Sequence, residues 1–224
     1  MSDVAVRARS GIIVAASIAR GNDLANNKTT AVVPTDPEAA VASKVAAAIL
    51  KFIGEVPGSD ERKSRTPAEA ARKVANKSAA QAVMAAGALA WPPGPLGWLT
   101  ILPEMIAVWK VQARMIADIA AFYGKKGTLT QEQMLYCLFK HTASQAVRDL
   151  AVRVGERVII KRATLRVLRT VAQRIGVKVT HRVMARTVSR WLPVVGTLGV
   201  AAYAYYDTAH VAKIAIELFE GELK

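Results

Sequence analysis

The chain is poor in the side chains that most often announce chemistry. Of its 224 residues one is cysteine, Cys137, and three are histidine, His141, His181 and His210. A single cysteine excludes an intramolecular disulfide and suits a reducing compartment. It lies in the apolar run "MLYCLF", which reads as a buried core thiol rather than a nucleophile. There is no phosphate-binding glycine loop, paired-histidine zinc motif, spaced cysteine cluster or nucleophile elbow. The expectation is therefore a protein without metal or cofactor and without catalysis.

Acid is scarce as well. Seventeen Asp and Glu face 31 Lys and Arg, for a net charge of +14, which favours a polyanionic partner, either a membrane surface or nucleic acid. The imbalance is concentrated. From Arg148 to Arg190 twelve Lys and Arg meet only Asp149 and Glu156, leaving +10 of the +14 in that stretch. The same stretch contains no Phe, Tyr or Trp. Without stacking aromatics, single-stranded nucleic acid is a poor fit, although contact with a duplex backbone remains the alternative.

Long apolar runs are missing too. A spanning helix needs about 20 apolar residues. Ser78–Ala90 offers 13 uncharged residues before two prolines, and Trp191–Tyr206 offers 16 before Asp207. Each suits a buried core helix or one arm of a re-entrant hairpin. Near the start, Arg7 and Arg9 precede the apolar Gly11–Ala19, the outline of a signal peptide, but Asp3 and the brevity of the run argue against one.

What is present is mostly helical. Residues 1–36 read as a flexible lead, rich in turn formers, and 37–224 as a single helical domain. A first helix is expected from Thr35 or Asp36 to near Gly54, with Val41, Val45, Ile49, Leu50 and Ile53 on one face. A charged linker follows. Thr66, Pro67 and Glu69 then form a capping-box pattern opening a helix towards Ala90. Beyond the corner "WPPGPLGW", a helix is expected from near Pro103 to Tyr123, stopped by Gly124. Thr130 and Gln133 cap another, expected to run on through "RVIIKR". Within it Arg153, Arg157 and Lys161 step by four, as do Lys178, Arg182, Arg186 and Arg190 further on, forming a basic stripe. "GVKVTHRV" alternates briefly, which leaves a strand as the alternative there. The fold class is thus an all-α bundle with long basic amphipathic helices and two apolar hairpins cornered by Pro and Gly, at 91–98 and 191–199.

Several polar residues sit on apolar helices. Lys110, Arg114 and Asp118 need partners if their helix is buried. Asp207 and His210, three residues apart, are placed to share a helical face and a hydrogen bond.

The segment "LPEMIAVWKVQARMIADIAAFYG", Leu102–Gly124, resembles the signature of the EcsC family, with Glu104, Gln112, Arg114, Ile116, Ile119, Ala120, Tyr123 and Gly124 in the signature positions. Asp118 falls within the same segment. "LPVVGTLGVAAYAYYDTAHVAKIA" is similar to that family's C-terminal segment, with Pro193, Gly196 and Asp207 in register. The resemblance covers roughly residues 68–216. It implies a helical, often membrane-associated bacterial protein with no established shared activity, named after a gene of a transporter operon.

The site expectation has two parts. Trp91, Trp98, Leu99, Trp109 and Trp191 are candidates for the membrane interface or an apolar ligand, because an indole suits the headgroup region. Arg153, Arg157, Lys161, Arg182, Arg186 and Arg190 are candidates for headgroup phosphates. The function expected is non-catalytic binding of anionic membrane or lipid at the inner, cytoplasmic face. A duplex-binding protein and a module assisting a transporter or other assembly are the rivals.

Overall fold

The structure is a computed structural model, and it describes residues 37–89, 97–155, 157–187 and 193–221. Among these residues there are six α-helices and one two-stranded sheet. Helix α1 spans Pro37–Gly54, α2 Pro67–Leu89, α3 Gly97–Phe122 and α4 Gln131–Val147. A short 3-10 turn at Arg148–Leu150 leads into strands β1, Ala151–Val154, and β2, Arg157–Ile160. Helices α5, Leu165–Thr187, and α6, Pro193–Gly221, complete the chain. All of this belongs to the unit Pro34–Lys224.

Local chemistry explains the helix ends. α2 begins at Pro67 as its proline requires. α3 stops in a Schellman turn: Gly124 N–H donates to Ala121 O at 2.9 Å and Lys125 N–H to Ala120 O at 2.8 Å. Gly124 itself takes φ 78°, which a side chain would resist. α4 opens with a reciprocal capping box, Thr130 N–H donating to Gln133 Oε1 at 3.0 Å and Gln133 N–H to Thr130 Oγ1 at 3.2 Å.

The helices share one large core. Ile49 and Ile53 of α1, Met115, Ile116 and Ile119 of α3, Met134, Leu135 and Phe139 of α4, Ile175 of α5 and Phe219 of α6 are all fully buried in it. Trp109 meets Phe139 edge-on at 5.3 Å and Phe52 at 6.3 Å, so one indole joins α1, α3 and α4. α2 and α6 pack closely through alanines, Ala82 and Ala86 against Ala204. α1 lies on α5 at Gly176. A Cβ there would come 2.6 Å from the Ala42 carbonyl oxygen and 3.2 Å from the Ala46 Cβ.

Three expectations are corrected and one alternative is set aside. The helix from Thr130 ends at Val147, and 151–160 is an antiparallel hairpin in the register Ala151↔Ile160, Val152↔Ile159, Arg153↔Val158 and Val154↔Arg157. Five β-branched residues in ten favour extended chain, and Gly155 turns the corner at φ 61°. Second, only the alternative is set aside at "GVKVTHRV": the expected helix holds there and the strand does not form, because its buried positions continue the period of α5. Third, α3 starts at Gly97, so Pro103 is its seventh residue rather than part of its first turn and removes one backbone hydrogen bond from it. Fourth, residues 193–199 are the start of α6 rather than a corner: Pro193 occupies the first helical position. The remainder of the corner at 91–98 and residues 191–192 lie outside the described residues, as does the lead 1–36.

Candidate functional site

The basic stretch divides between the hairpin and α5. Ala151, Val158 and Ile160 rest on the core. Side chains alternate across a strand, so the opposite face of the hairpin carries Val152, Val154, Arg157 and Ile159. That outer face is apolar where an outward strand face is usually polar. Val154 is 57% exposed and Ile159 49%. Glu132 anchors the hairpin's exit: its Oε1 accepts from Ala163 N–H at 2.9 Å. Burial alone would raise the Glu132 carboxyl, but the backbone hydrogen bonds, Thr130 and the nearby Arg162 hold it below the usual range.

α5 continues the pattern. Leu168, Val171, Ala172 and Ile175 face the core. Arg166, Arg169, Arg174 and Lys178 are exposed, and so are Leu165 at 72%, Val167 and Val177. Arg174 pairs with Asp149 at 3.2 Å, and His181 Nδ1 meets Glu38 Oε1 at 2.7 Å.

The predicted phosphate-contact residues fare unevenly. Arg153, Arg157 and Lys161 are exposed, but they do not form a helical stripe: the hairpin pleat sends Arg153 and Arg157 to opposite faces. Lys161 N–H donates to Leu150 O at 2.8 Å, adding one hydrogen bond to the ladder. Arg182 is partly exposed on α5. Arg186 lies in α5 with its side chain outside the described residues, and Arg190 lies outside them.

Of the apolar contacts, Trp109 is a correction: it is 6% exposed and belongs to the core. An indole on a helix that is itself buried packs inward. Trp98 and Leu99 are in α3, with side chains outside the described residues; Trp91 and Trp191 lie outside them altogether.

The polar residues of α3 and α6 meet in a buried joint. Gln112 Nε2 donates to Asp207 Oδ2 at 2.7 Å and to Thr208 Oγ1 at 3.2 Å. Asp207 Oδ1 accepts from Tyr203 Oη at 2.8 Å and lies 2.7 Å from His141 Nε2 of α4. One carboxylate therefore binds three helices together. Burial would raise the Asp207 carboxyl, but His141, Gln112 and Tyr203 outweigh it and hold the pKa below the ordinary value. The expected Asp207–His210 bond is replaced. His210 Nδ1–H donates to Tyr206 O at 2.7 Å, while its ring stacks on His141 at 5.9 Å. Nothing local in the sequence pointed to His141, which is 66 residues from Asp207.

The other family-signature residues divide. Glu104 is buried in α3, and Tyr123 is buried at its end. Arg114 and Asp118 secure the linker: Arg114 pairs with Asp60, and Asp118 Oδ1 accepts from Ser59 Oγ at 2.6 Å. Among the described residues no group of three His, Cys, Asp or Glu is placed to hold a metal ion. Among them, too, no helix is long and apolar enough to cross a membrane.

Comparisons with family models, curated proteins and solved structures find no match to this chain. The EcsC resemblance gains no support from them.

Proposed function

We propose that the protein docks on anionic membranes from one side, through the outer face of the β1–β2 hairpin and the exposed face of α5, and that this role is binding rather than catalysis. The observation that carries the reading is the mixture on that surface. On the hairpin Val154 and Ile159 stand exposed on the same face as Arg157, and on α5 Leu165, Val167 and Val177 are exposed along with Arg166 and Arg169. Cations alone would suit any polyanion. Apolar side chains between them suit the boundary between headgroups and acyl chains, where the hydrophobic effect adds to charge attraction. Each basic residue near an anionic leaflet contributes ~1 kcal/mol. The same mixture favours membrane over duplex nucleic acid, which offers phosphates but no apolar layer.

The Asp207–His141 pair supports a non-catalytic reading. Both carboxylate oxygens are engaged within the fold, and the bonds join helices.

Vesicle co-sedimentation tests the proposal. The chain is expected to bind anionic phosphatidylglycerol vesicles and not neutral ones, with part of the binding persisting in high salt. Val154→Ser with Ile159→Ser should abolish the salt-resistant part. Equal binding by that variant, or binding that duplex DNA removes completely at equal phosphate, would overturn the reading.

A further inference from the structure

A second feature of the basic region is a half-open cleft. It has a volume of about 620 Å³ and is lined by Thr142, Ala143, Ser144, Gln145, Ala146, Arg148, Arg174 and Lys178. That size falls within the range of sites for small organic molecules, roughly 300–1,000 Å³, and exceeds what a bare phosphate needs.

The wall is built by a break in α4. Ala143 has φ −138° and ψ 48°, outside helical values. In a regular helix successive side chains are turned by about 100°, so a run from Thr142 to Ala146 would not line one cavity. The break allows it. Opposite stand Arg174 and Lys178, one turn apart on α5. Asp149, outside the lining, accepts from Arg174 at 3.2 Å and lies 3.8 Å from Arg148. It tethers two guanidinium groups near each other while cancelling only one of the three lining cations. Lys178 has no ion pair among the described residues. Ser144 and Gln145 are exposed and make no side-chain hydrogen bond among the described residues. Thr142 donates to Phe139 O at 3.4 Å, leaving its oxygen able to accept.

We infer that this pocket binds a phosphomonoester of a small polyol, with Arg148, Arg174 and Lys178 on the phosphate and Thr142, Ser144 and Gln145 on the hydroxyls. Paired arginines match the bidentate geometry of a phosphate dianion, and a lysine adds a point charge. A hydroxyl-bearing ligand uses the polar wall that a simple anion would leave idle. The same chemistry is offered by a free ester or by the headgroup of a monoester lipid. The inference stands apart from membrane docking by the hairpin, and either can fail without the other.

Calorimetric titration of the full chain with glycerol 3-phosphate and with inorganic phosphate tests it, alongside sedimentation with phosphatidic acid and phosphatidylglycerol vesicles of matched charge. The doubly substituted Arg174→Gln, Lys178→Gln chain is compared with Lys73→Gln, Lys77→Gln on α2, which loses the same charge outside both the pocket and the docking face. All four positions are exposed, so both chains should fold, as circular dichroism will verify. The expected result is saturable binding of glycerol 3-phosphate, tighter than inorganic phosphate. It should weaken at least tenfold in the pocket variant and stay within about twofold in the other. Binding of phosphatidic acid at least tenfold tighter than phosphatidylglycerol, with the same dependence on the pocket but no binding of the free ester, would support the inference and make the headgroup the source. No saturable binding in either arm, or equal losses in both variants, would overturn it and leave diffuse charge only.

Discussion

Two regions of this molecule put polar side chains to opposite ends. In the joint between α3, α4 and α6, Asp207 meets Gln112, Tyr203 and His141 at 2.7–2.8 Å, and both carboxylate oxygens are engaged within the fold. On the hairpin and α5, basic residues stand exposed with few acids in reach, among apolar side chains equally exposed. The first region holds helices together through its carboxylate, although Gln112 Oε1 and His141 Nδ1 are buried there without a hydrogen-bond partner. The second leaves most of its cations exposed to solvent, with Arg174 paired to Asp149. A buried polar group is costly unless it is paired, so interior polar residues report on folding. Unmatched charge at a surface costs little, so its concentration reports on a partner.

The contrast can be broken by substitution, beginning in the interior. Trp109→Ala removes the indole shared by three helices and should lower stability by about 3–5 kcal/mol in urea denaturation. Folded protein should still bind vesicles, because Trp109 is not at the surface. Asp207→Asn should cost about 2–3 kcal/mol by weakening three hydrogen bonds in a buried site. The acid profile sharpens that result. Asp207 and Glu132 have folded pKa values below their unfolded ones, near 3.9 and 4.3. Their contribution is therefore complete above about pH 5 and is lost as pH falls through the folded values. Asp207→Asn should flatten this decline in stability between about pH 5 and pH 3, and an unchanged slope would show that the carboxylate is not the titrating group.

Gly176→Ala should cost about 1–3 kcal/mol, since the added methyl meets the backbone of α1. The smallest effect on folding belongs to the surface. Arg166→Gln with Arg169→Gln should change stability by no more than about 0.5 kcal/mol. The same pair should weaken binding to anionic vesicles in low salt by about tenfold or more. A large loss of stability there would dissolve the distinction between the two regions.

Much of the helical frame was legible because its signals are local. Pro37, Pro67, Gly124 and the Thr130–Gln133 box act within a few residues of themselves, and the boundaries of α1, α2 and α4's start follow them. The hairpin was not, because Leu150, Val154 and Val158 step by four while the same residues also satisfy a strand's alternation. The tie was broken by β-branching and Gly155, which outweigh a weak helical period. Gln112 and Asp207 were singled out through the family signature, but their shared partner His141 was not. Hydrophobic periodicity describes which face of an element is buried and carries no signal for which distant polar groups meet. The apolar outer face of the hairpin was hidden for the same reason: it exists only once the pleat assigns sides.

The most direct test places a reporter on that face. Cys137 is buried, so a thiol-reactive, polarity-sensitive dye should label only an introduced cysteine. The dye at Ile159→Cys should shift to the blue on anionic vesicles and stay shifted in high salt, while the same dye at the exposed Met84→Cys of α2 should not move. An unmoved reporter at position 159 under conditions where the chain is bound, or an equal shift at both positions, would contradict docking through the hairpin.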